Sequence, residues 1–210
     1  MMKKSCLIYI LSLLSINIAC AQSIVEGGNI INPNVKLGFF NVTENDKGHD
    51  SIGHGKISHI EYILQYERCI DKDFTVGGIF RYNAFILPKD TATNQINQAY
   101  GVDFCLDASF HFVKTQHVDI YLGATMGVSY LRLVNTNLND QAIYDAAGAA
   151  YNLDIGARFY VNEHIGITLT AGYAGYDYPN GTEESIFGYV DHMGFVFDGA
   201  TFGLGACYKF

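Results

Sequence analysis

The last nine residues of the chain alternate between two kinds of side chain. One face of this segment is apolar and consists of Phe202, Leu204, Ala206, Tyr208 and Phe210. The other face is small or polar and consists of Gly203, Gly205, Cys207 and Lys209. Because successive side chains of a β-strand point to opposite sides, this period of two predicts a strand with one apolar surface. Such a strand must pair with neighbours that show the same pattern.

Seven further segments show this alternation along the chain. They cover residues 34–42, 57–68, 74–87, 100–112, 118–131, 149–161 and 165–178, so the terminal strand is the eighth. The predicted connections alternate in length. Short ones span 70–73, 114–117 and 162–164, and long ones span 43–55, 88–99, 132–148 and 179–199. An even number of strands with short turns at one end and long loops at the other is typical of transmembrane β-barrels.

The same pattern allows two kinds of closed barrel. In a soluble, lipocalin-like barrel the apolar face lines an internal ligand cavity. In a membrane barrel it meets lipid, and all backbone groups are satisfied between strands. The membrane barrel also accounts for the terminal aromatic residue and for the unequal connections. We therefore expect an all-β fold, an eight-stranded antiparallel up-and-down transmembrane β-barrel. The many aromatic residues and glycines, 29 Tyr plus Phe and 22 Gly against 3 Pro, agree with this.

The amino terminus predicts export. Lys3 and Lys4 precede an apolar run from Leu7 to Ile18, and small residues at 19 and 21 offer a cleavage site. We predict a signal peptide over 1–21, a barrel domain over 22–210 and a periplasmic segment over 22–33. Lipidation of Cys20 is the alternative, although Asn17 stands where a lipobox has an aliphatic residue. Without Lys3 and Lys4 the chain has 11 basic and 21 acidic residues, a net charge of −10 that argues against a nucleic-acid partner.

Taken together, the eight alternating segments, the connection lengths and the terminal Phe210 resemble the OmpA/OmpX-like group of small outer-membrane β-barrels. The resemblance implies an integral outer-membrane protein with extracellular loops and periplasmic termini. It also implies that Tyr208 and Phe210 form the signal that the barrel-assembly machinery reads. Outer-membrane lipid and lipopolysaccharide are the implied surroundings, and the loops could recruit a surface protein partner. No catalytic motif of the group accompanies the resemblance.

The inward face of the predicted strands carries most of the barrel's charge. These side chains are Lys36, Glu61, Arg81, Asp103, Asp107, Asp119, Asp154, Arg158 and Lys209, together with Glu67. Either they line a polar conduit or they pair into a plug. Eight strands leave an interior that side chains fill, and buried charges persist only when paired, so we favour a structural network. The inward glycines, such as Gly156 and Gly172, would make room for larger polar groups.

Two predicted loops carry residues that suggest other roles. His49, Asp50 and Ser51 adjoin in loop one and suggest a hydrolase or acyltransferase, while His54 could assist a surface metal site. Neighbours in sequence seldom converge in space, so we expect no catalytic residue, metal or cofactor. Loop four contains Phe195 to Phe197, which suggests either a partner site or strands that continue past the membrane. We expect a non-enzymatic envelope-structural or surface-interaction role; the alternatives are a narrow channel for small solutes and, less favoured, a lipid-modifying enzyme.

Overall fold

The computed structural model describes residues 26–46, 51–86, 95–136, 141–185 and 190–210. Eight antiparallel strands form one closed barrel in sequence order, with β1 pairing with β8. The strands are β1 (Asn29–Asp46), β2 (Ser51–Asp71), β3 (Phe74–Ile86), β4 (Gln95–Lys114), β5 (Val118–Thr136), β6 (Gln141–Tyr160), β7 (Ile165–Ser185) and β8 (Val190–Lys209). The predicted fold class is confirmed. Within the described ranges, no helix is long and apolar enough to span a membrane.

The start of β1, the carboxyl terminus and the three short turns lie at one end of the barrel, which we call the turn end. The turns comprise residues 72–73, 115–117 and 161–164, close to their predicted positions. The backbone groups of Asn29 and Phe210 exchange two hydrogen bonds of 2.8 and 3.0 Å, which close the ring there. At the opposite end, called the far end, the described strands stop on either side of residues 47–50, 87–94, 137–140 and 186–189, which lie outside the described residues.

The strands are longer than the sequence predicted, and the predicted long loops are largely wrong. Residues 51–55, 132–136, 141–148 and 190–199 are strand, and so are 179–185. The predicted periplasmic segment 22–33 is also too long, because β1 begins at Asn29 and Pro33 is part of the wall. Pro33 has no N–H to donate, yet it lies opposite Leu64 and the pairing of β1 with β2 continues on both sides of it. The predicted signal peptide and Cys20 lie outside the described residues.

The outer face of the wall is an apolar band, as expected of a membrane barrel and unlike a lipocalin. Leu106 and Met126 are 77% and 72% exposed there. Each strand carries an outward aromatic residue at or near the limit of the band toward the far end, although outward Ile60 and Ile86 lie beyond it in β2 and β3. This girdle consists of Phe39, Tyr62, Tyr82, Tyr100, Tyr130, Tyr151, Tyr173 and Phe202. Aromatic girdles mark the edges of the hydrocarbon layer in outer-membrane barrels, so the girdle sets the far boundary of the membrane-embedded wall.

Beyond the girdle the strands continue as a collar in which the pattern of polarity is reversed. Outward residues such as Asp145, Asp177 and Asp198 are polar, whereas the inward side packs into an apolar cluster. Its collar members are Phe40, Phe85, Leu131, Tyr144, Ala146, Ala174, Tyr176, Tyr178 and Phe197. This is the arrangement of a soluble barrel, because beyond the hydrocarbon the outer surface meets water and apolar burial stabilises the inside.

Candidate functional site in the barrel lumen

The nine predicted network residues all point into the lumen, and most are almost fully buried. Arg81, Asp103 and Arg158 are at most 1% exposed, while Asp154 and Lys209 are only partly buried. Their order along the strands divides the lumen into levels. Along β4, for example, Asp103 lies toward the far end, Asp107 lies in the middle, and His111 lies toward the turn end. We name the three levels the far, middle and turn layers.

The far layer is formed by His59, Glu61, Arg81 and Asp103. The Arg81 guanidinium lies 3.6 Å from a carboxylate oxygen of Glu61 and 3.6 Å from one of Asp103. It also donates a 2.8 Å hydrogen bond to the Tyr176 hydroxyl. His59 Nε2 lies 2.7 Å from Glu61 Oε1, and its ring stacks on Phe40 at 4.4 Å. The apolar collar therefore covers this ionic cluster directly.

The turn layer repeats this composition with Glu67, His111, Asp119 and Arg158. Arg158 bridges Glu67 and Asp119, the latter at 3.3 Å, and its guanidinium lies over the Tyr121 ring at 4.3 Å. His111 Nδ1 lies 2.8 Å from Asp119 Oδ1. Its other nitrogen lies 3.1 Å from the hydroxyl of Thr75, which donates to Glu67. Each layer is thus a bonded unit of two carboxylates, one arginine and one histidine.

The middle layer contains Lys36, Asp107 and Asp154. Lys36 donates to Asp154 Oδ2 across the barrel at 2.6 Å, and Gln65 donates to Asp107 at 3.0 Å. A cavity of about 20 Å³ lies here, lined by Asn34, Lys36, Ile63, Gln65, Ile79, Asp107, Tyr121, Gly123, Asp154 and Thr170. That volume holds about one water-sized body. It is far below what a hydrated solute passage through the lumen requires.

A cluster of buried apolar residues lies toward each end of the lumen. At the far end it is the collar cluster, in which Tyr178 and Phe197 pack edge to face at 5.8 Å. At the turn end it consists of Ile30, Cys69, Tyr160 and Cys207. The ammonium of Lys209, the ninth network residue, lies 5.0 Å from the centre of the Tyr160 ring. The three cysteines of the described chain are free and buried.

The residues that suggested catalysis or metal binding are not assembled by the described chain. His49, Asp50 and the side chain of Ser51 lie outside the described part of the chain. His54 belongs to β2 and is exposed, with its Nδ1 3.4 Å from the Thr43 hydroxyl. Within the described ranges, no three His, Cys, Asp or Glu side chains are grouped to hold a metal ion.

The interpretation of Phe195 to Phe197 as an exposed partner site is corrected. Phe197 is 3% exposed and faces inward, and Phe195 packs against Tyr144 at 5.0 Å. These residues belong to β8 where it continues past the girdle, which was the alternative reading. Residues 186–189 of the same predicted loop lie outside the described residues.

Sequence reasoning missed the roles of His59, His111, Tyr121 and Tyr176 in the lumen. The alternation placed both histidines on the inward face, but only the packed barrel shows which carboxylate each one meets. Tyr121 and Tyr176 interrupt otherwise polar or small inward positions. A large aromatic residue on the inward face was therefore the available signal for a partner of a buried arginine.

Comparison with solved structures identifies the same architecture elsewhere. The outer membrane protein OprG of Pseudomonas aeruginosa superposes with a TM-score of 0.56 at 13% identity, over 90% of this chain and 99% of that one. Neisserial surface protein A gives 0.48 at 13% identity, over 88% and 100%. The outer membrane protein AlkL gives 0.49 at 12% identity, over 92% and 95%. No family model and no curated protein sequence matches the chain.

The fold and its apolar outer wall define an integral outer-membrane β-barrel. More particularly, its closed ring of eight antiparallel strands has the fold of the outer membrane protein OprG.

Proposed function

We propose that the protein is a non-conducting, non-enzymatic outer-membrane barrel that holds its collar at the cell surface as a rigid interaction platform. The observation that carries the proposal is the filled lumen. Two ionic layers, a middle layer with a cavity of about 20 Å³ and an apolar cluster at each end occupy the barrel axis. The inward side chains therefore bond to one another inside the barrel. The collar and its connections are the parts that would contact a partner.

The orientation that this role requires has the turn end in the periplasm and the collar outside the cell. Short turns face the periplasm in barrels of this class. Tyr208 and Phe210 then lie at the periplasmic edge, where the assembly machinery would read them. Their side chains face outward and are 48% and 53% exposed, so in this orientation lipid would contact them. Lipopolysaccharide would surround the collar base, and a surface protein partner would bind above it.

Planar-bilayer recording tests the sealed lumen. The purified barrel should insert without producing stable single-channel currents, whereas a reproducible open conductance would favour the narrow channel instead. A positive control comes from the same chain: replacing both Arg81 and Arg158 with alanine removes the guanidinium of each paired layer and should raise the frequency of current bursts.

A separate measurement tests the absence of an enzymatic role. Lipid A and phospholipid mass spectra of cells with and without the protein should be identical. A change that disappears in His49→Ala would support a lipid-modifying enzyme and contradict the proposal.

A further inference from the structure

Two of the three lumen layers follow one rule of charge, and the middle layer departs from it. Each layer contains two carboxylates and one arginine or lysine. In the far and turn layers a histidine lies 2.7 or 2.8 Å from a carboxylate oxygen and can supply the second positive charge. The middle layer has Asp107 and Asp154 against Lys36 alone. It has no histidine.

Asp107 is the carboxylate of the middle layer that has no ion-pair partner among the described residues. Lys36 is bonded to Asp154 at 2.6 Å, and the printed partner of Asp107 is the neutral amide of Gln65. Among the described residues, no basic nitrogen lies within 4 Å of Asp107, which is 5% exposed. Burying a carboxylate without a compensating charge costs several kcal/mol even after the protein relaxes. A group that neutralises Asp107 would therefore stabilise the folded barrel.

Three of the residues that line the cavity beside Asp107 carry a buried side-chain oxygen without a hydrogen-bond partner. Asn34 Oδ1, Asp154 Oδ1 and Thr170 Oγ1 are buried and form no hydrogen bond within the described chain. All three residues line the cavity together with Asp107, and Asn34 and Thr170 are only 6% and 8% exposed. Carboxylate, amide and hydroxyl oxygens are the ligands that hard cations prefer.

We propose that the middle layer binds one sodium ion, ligated by oxygens of Asp107, Asp154, Asn34 and Thr170. A monovalent ion supplies the single positive charge that the layer lacks, and the cavity of about 20 Å³ admits one body of that size. The ion takes the place that the histidines occupy in the other two layers. Its function is structural, and the proposal does not depend on the role of the collar.

Cation exchange tests the site on the full chain purified in detergent from outer membranes. The half-life of the folded form on heating is read from its faster migration on unboiled gels. It is compared in sodium chloride and in choline chloride at equal ionic strength, since choline is too large for the cavity. We expect saturating sodium to lengthen the half-life by about tenfold or more, because a ligand that binds only the folded state stabilises it. Equal half-lives in the two salts would overturn the proposal.

Two variants separate a specific site from a general effect of sodium. Asp107→Asn removes the uncompensated charge, so it should be insensitive to sodium and at least as long-lived as the wild type in choline. Asp177→Asn, on the outward face of the collar, should keep the full sodium effect. If Asp107→Asn retains the effect, the ion binds elsewhere and the proposal is wrong.

Sodium-23 NMR relaxation provides a reading that does not require unfolding. Wild-type barrel should broaden the sodium resonance in a saturable way, and Asp107→Asn should abolish the broadening. A protonated Asp107, or a lone water in the cavity, would give no saturable broadening and would contradict the assignment.

Discussion

Arg158 shows how much of the barrel's stability rests on single buried residues. Its guanidinium lies between Glu67 and Asp119 and covers the Tyr121 ring, and its side chain is fully buried. A buried ion pair gains little over an apolar pair, but removing one partner leaves uncompensated charge. The turn layer should therefore respond far more strongly to loss of its arginine than an exposed pair would.

Replacing Arg158 with methionine keeps most of the side-chain volume and removes the charge. We expect a loss of about 3–5 kcal/mol in the free energy of unfolding, since Glu67 and Asp119 then share one low-dielectric site. Urea unfolding in lipid vesicles measures it. Arg132→Met is the control, because Arg132 pairs with Asp145 outside the wall at 3.7 Å and is half-exposed. Similar losses in the two variants would show that the buried arginine of the turn layer stabilises the barrel no more than the exposed one does.

Gly156 leaves the space that the Tyr121 ring occupies inside the barrel. A methyl group there would lie 2.2 Å from Tyr121 Cζ. The Tyr121 ring cannot easily move away, because the Arg158 guanidinium lies over it. Gly156→Ala should cost about 1–3 kcal/mol through overpacking. Gly78→Ala, an outward position whose nearest atom is 3.7 Å away, should leave the urea midpoint nearly unchanged. An unchanged midpoint for Gly156→Ala would mean that Tyr121 moves freely.

Phe210, the residue that follows β8, has a structural role, and the proposed function gives it a second role in assembly. Phe210 closes the ring to Asn29 through its backbone, while its side chain stacks on Tyr208 at 5.8 Å and faces outward. Only the side chain would be available to the assembly machinery. A side-chain truncation therefore separates the two roles, because the backbone bonds survive it.

Phe210→Ala should lower the amount of folded barrel in outer membranes several-fold while leaving the heat stability of the assembled fraction almost unchanged. Heat-modifiable migration of membrane fractions gives both quantities. Phe202→Ala is matched in strand, chemistry and exposure, 55% against 53%, and should assemble normally. If both variants fail to assemble equally, the loss reflects lipid contact rather than a terminal signal.

The strands show where sequence reasoning succeeded and where it ended. Within the hydrocarbon layer one rule holds, apolar outside and polar inside, and there the alternation predicted strand number, facing and the short turns. Above the girdle the rule reverses. Inward Leu131 and Tyr178 are apolar and outward Asp145 is polar, so the period of two persists with the opposite meaning. Asn, Asp, Gly and Pro between 177 and 181 added turn signals, which is why strand was read as loop.

The sequence predicted which charged residues face the lumen, but not which of them pair with one another. Alternation named the inward charges, but pairing depends on which strands lie opposite each other across the barrel. Lys36 on β1 reaches Asp154 on β6, a separation of 118 residues. No local pattern encodes such a contact. The same limit hid the shared composition of the far and turn layers, and with it the missing positive charge of the middle layer.

At the scale of the whole molecule, strand length exceeds what the membrane requires. A transmembrane strand needs about 9–11 residues, whereas seven of these strands have 18–21. The excess lies beyond the girdle, where the inward apolar cluster stabilises it. A rigid collar of strands costs less entropy on binding a partner than flexible loops of equal length would. Its orientation is therefore the property of the whole molecule on which the proposed role most depends.

Cysteine labelling measures that orientation, and the chain is suited to it because its three described cysteines are only 2–5% exposed. Asp177→Cys places an exposed thiol on the collar, and Glu163→Cys places one in a short turn at the other end. A membrane-impermeant maleimide added to intact cells should label position 177. It should label position 163 only after the outer membrane is permeabilised. The reverse pattern would place the collar in the periplasm and remove the basis for a surface interaction. Labelling of the unsubstituted protein gives the background, which should be negligible while the buried thiols stay enclosed in the folded wall.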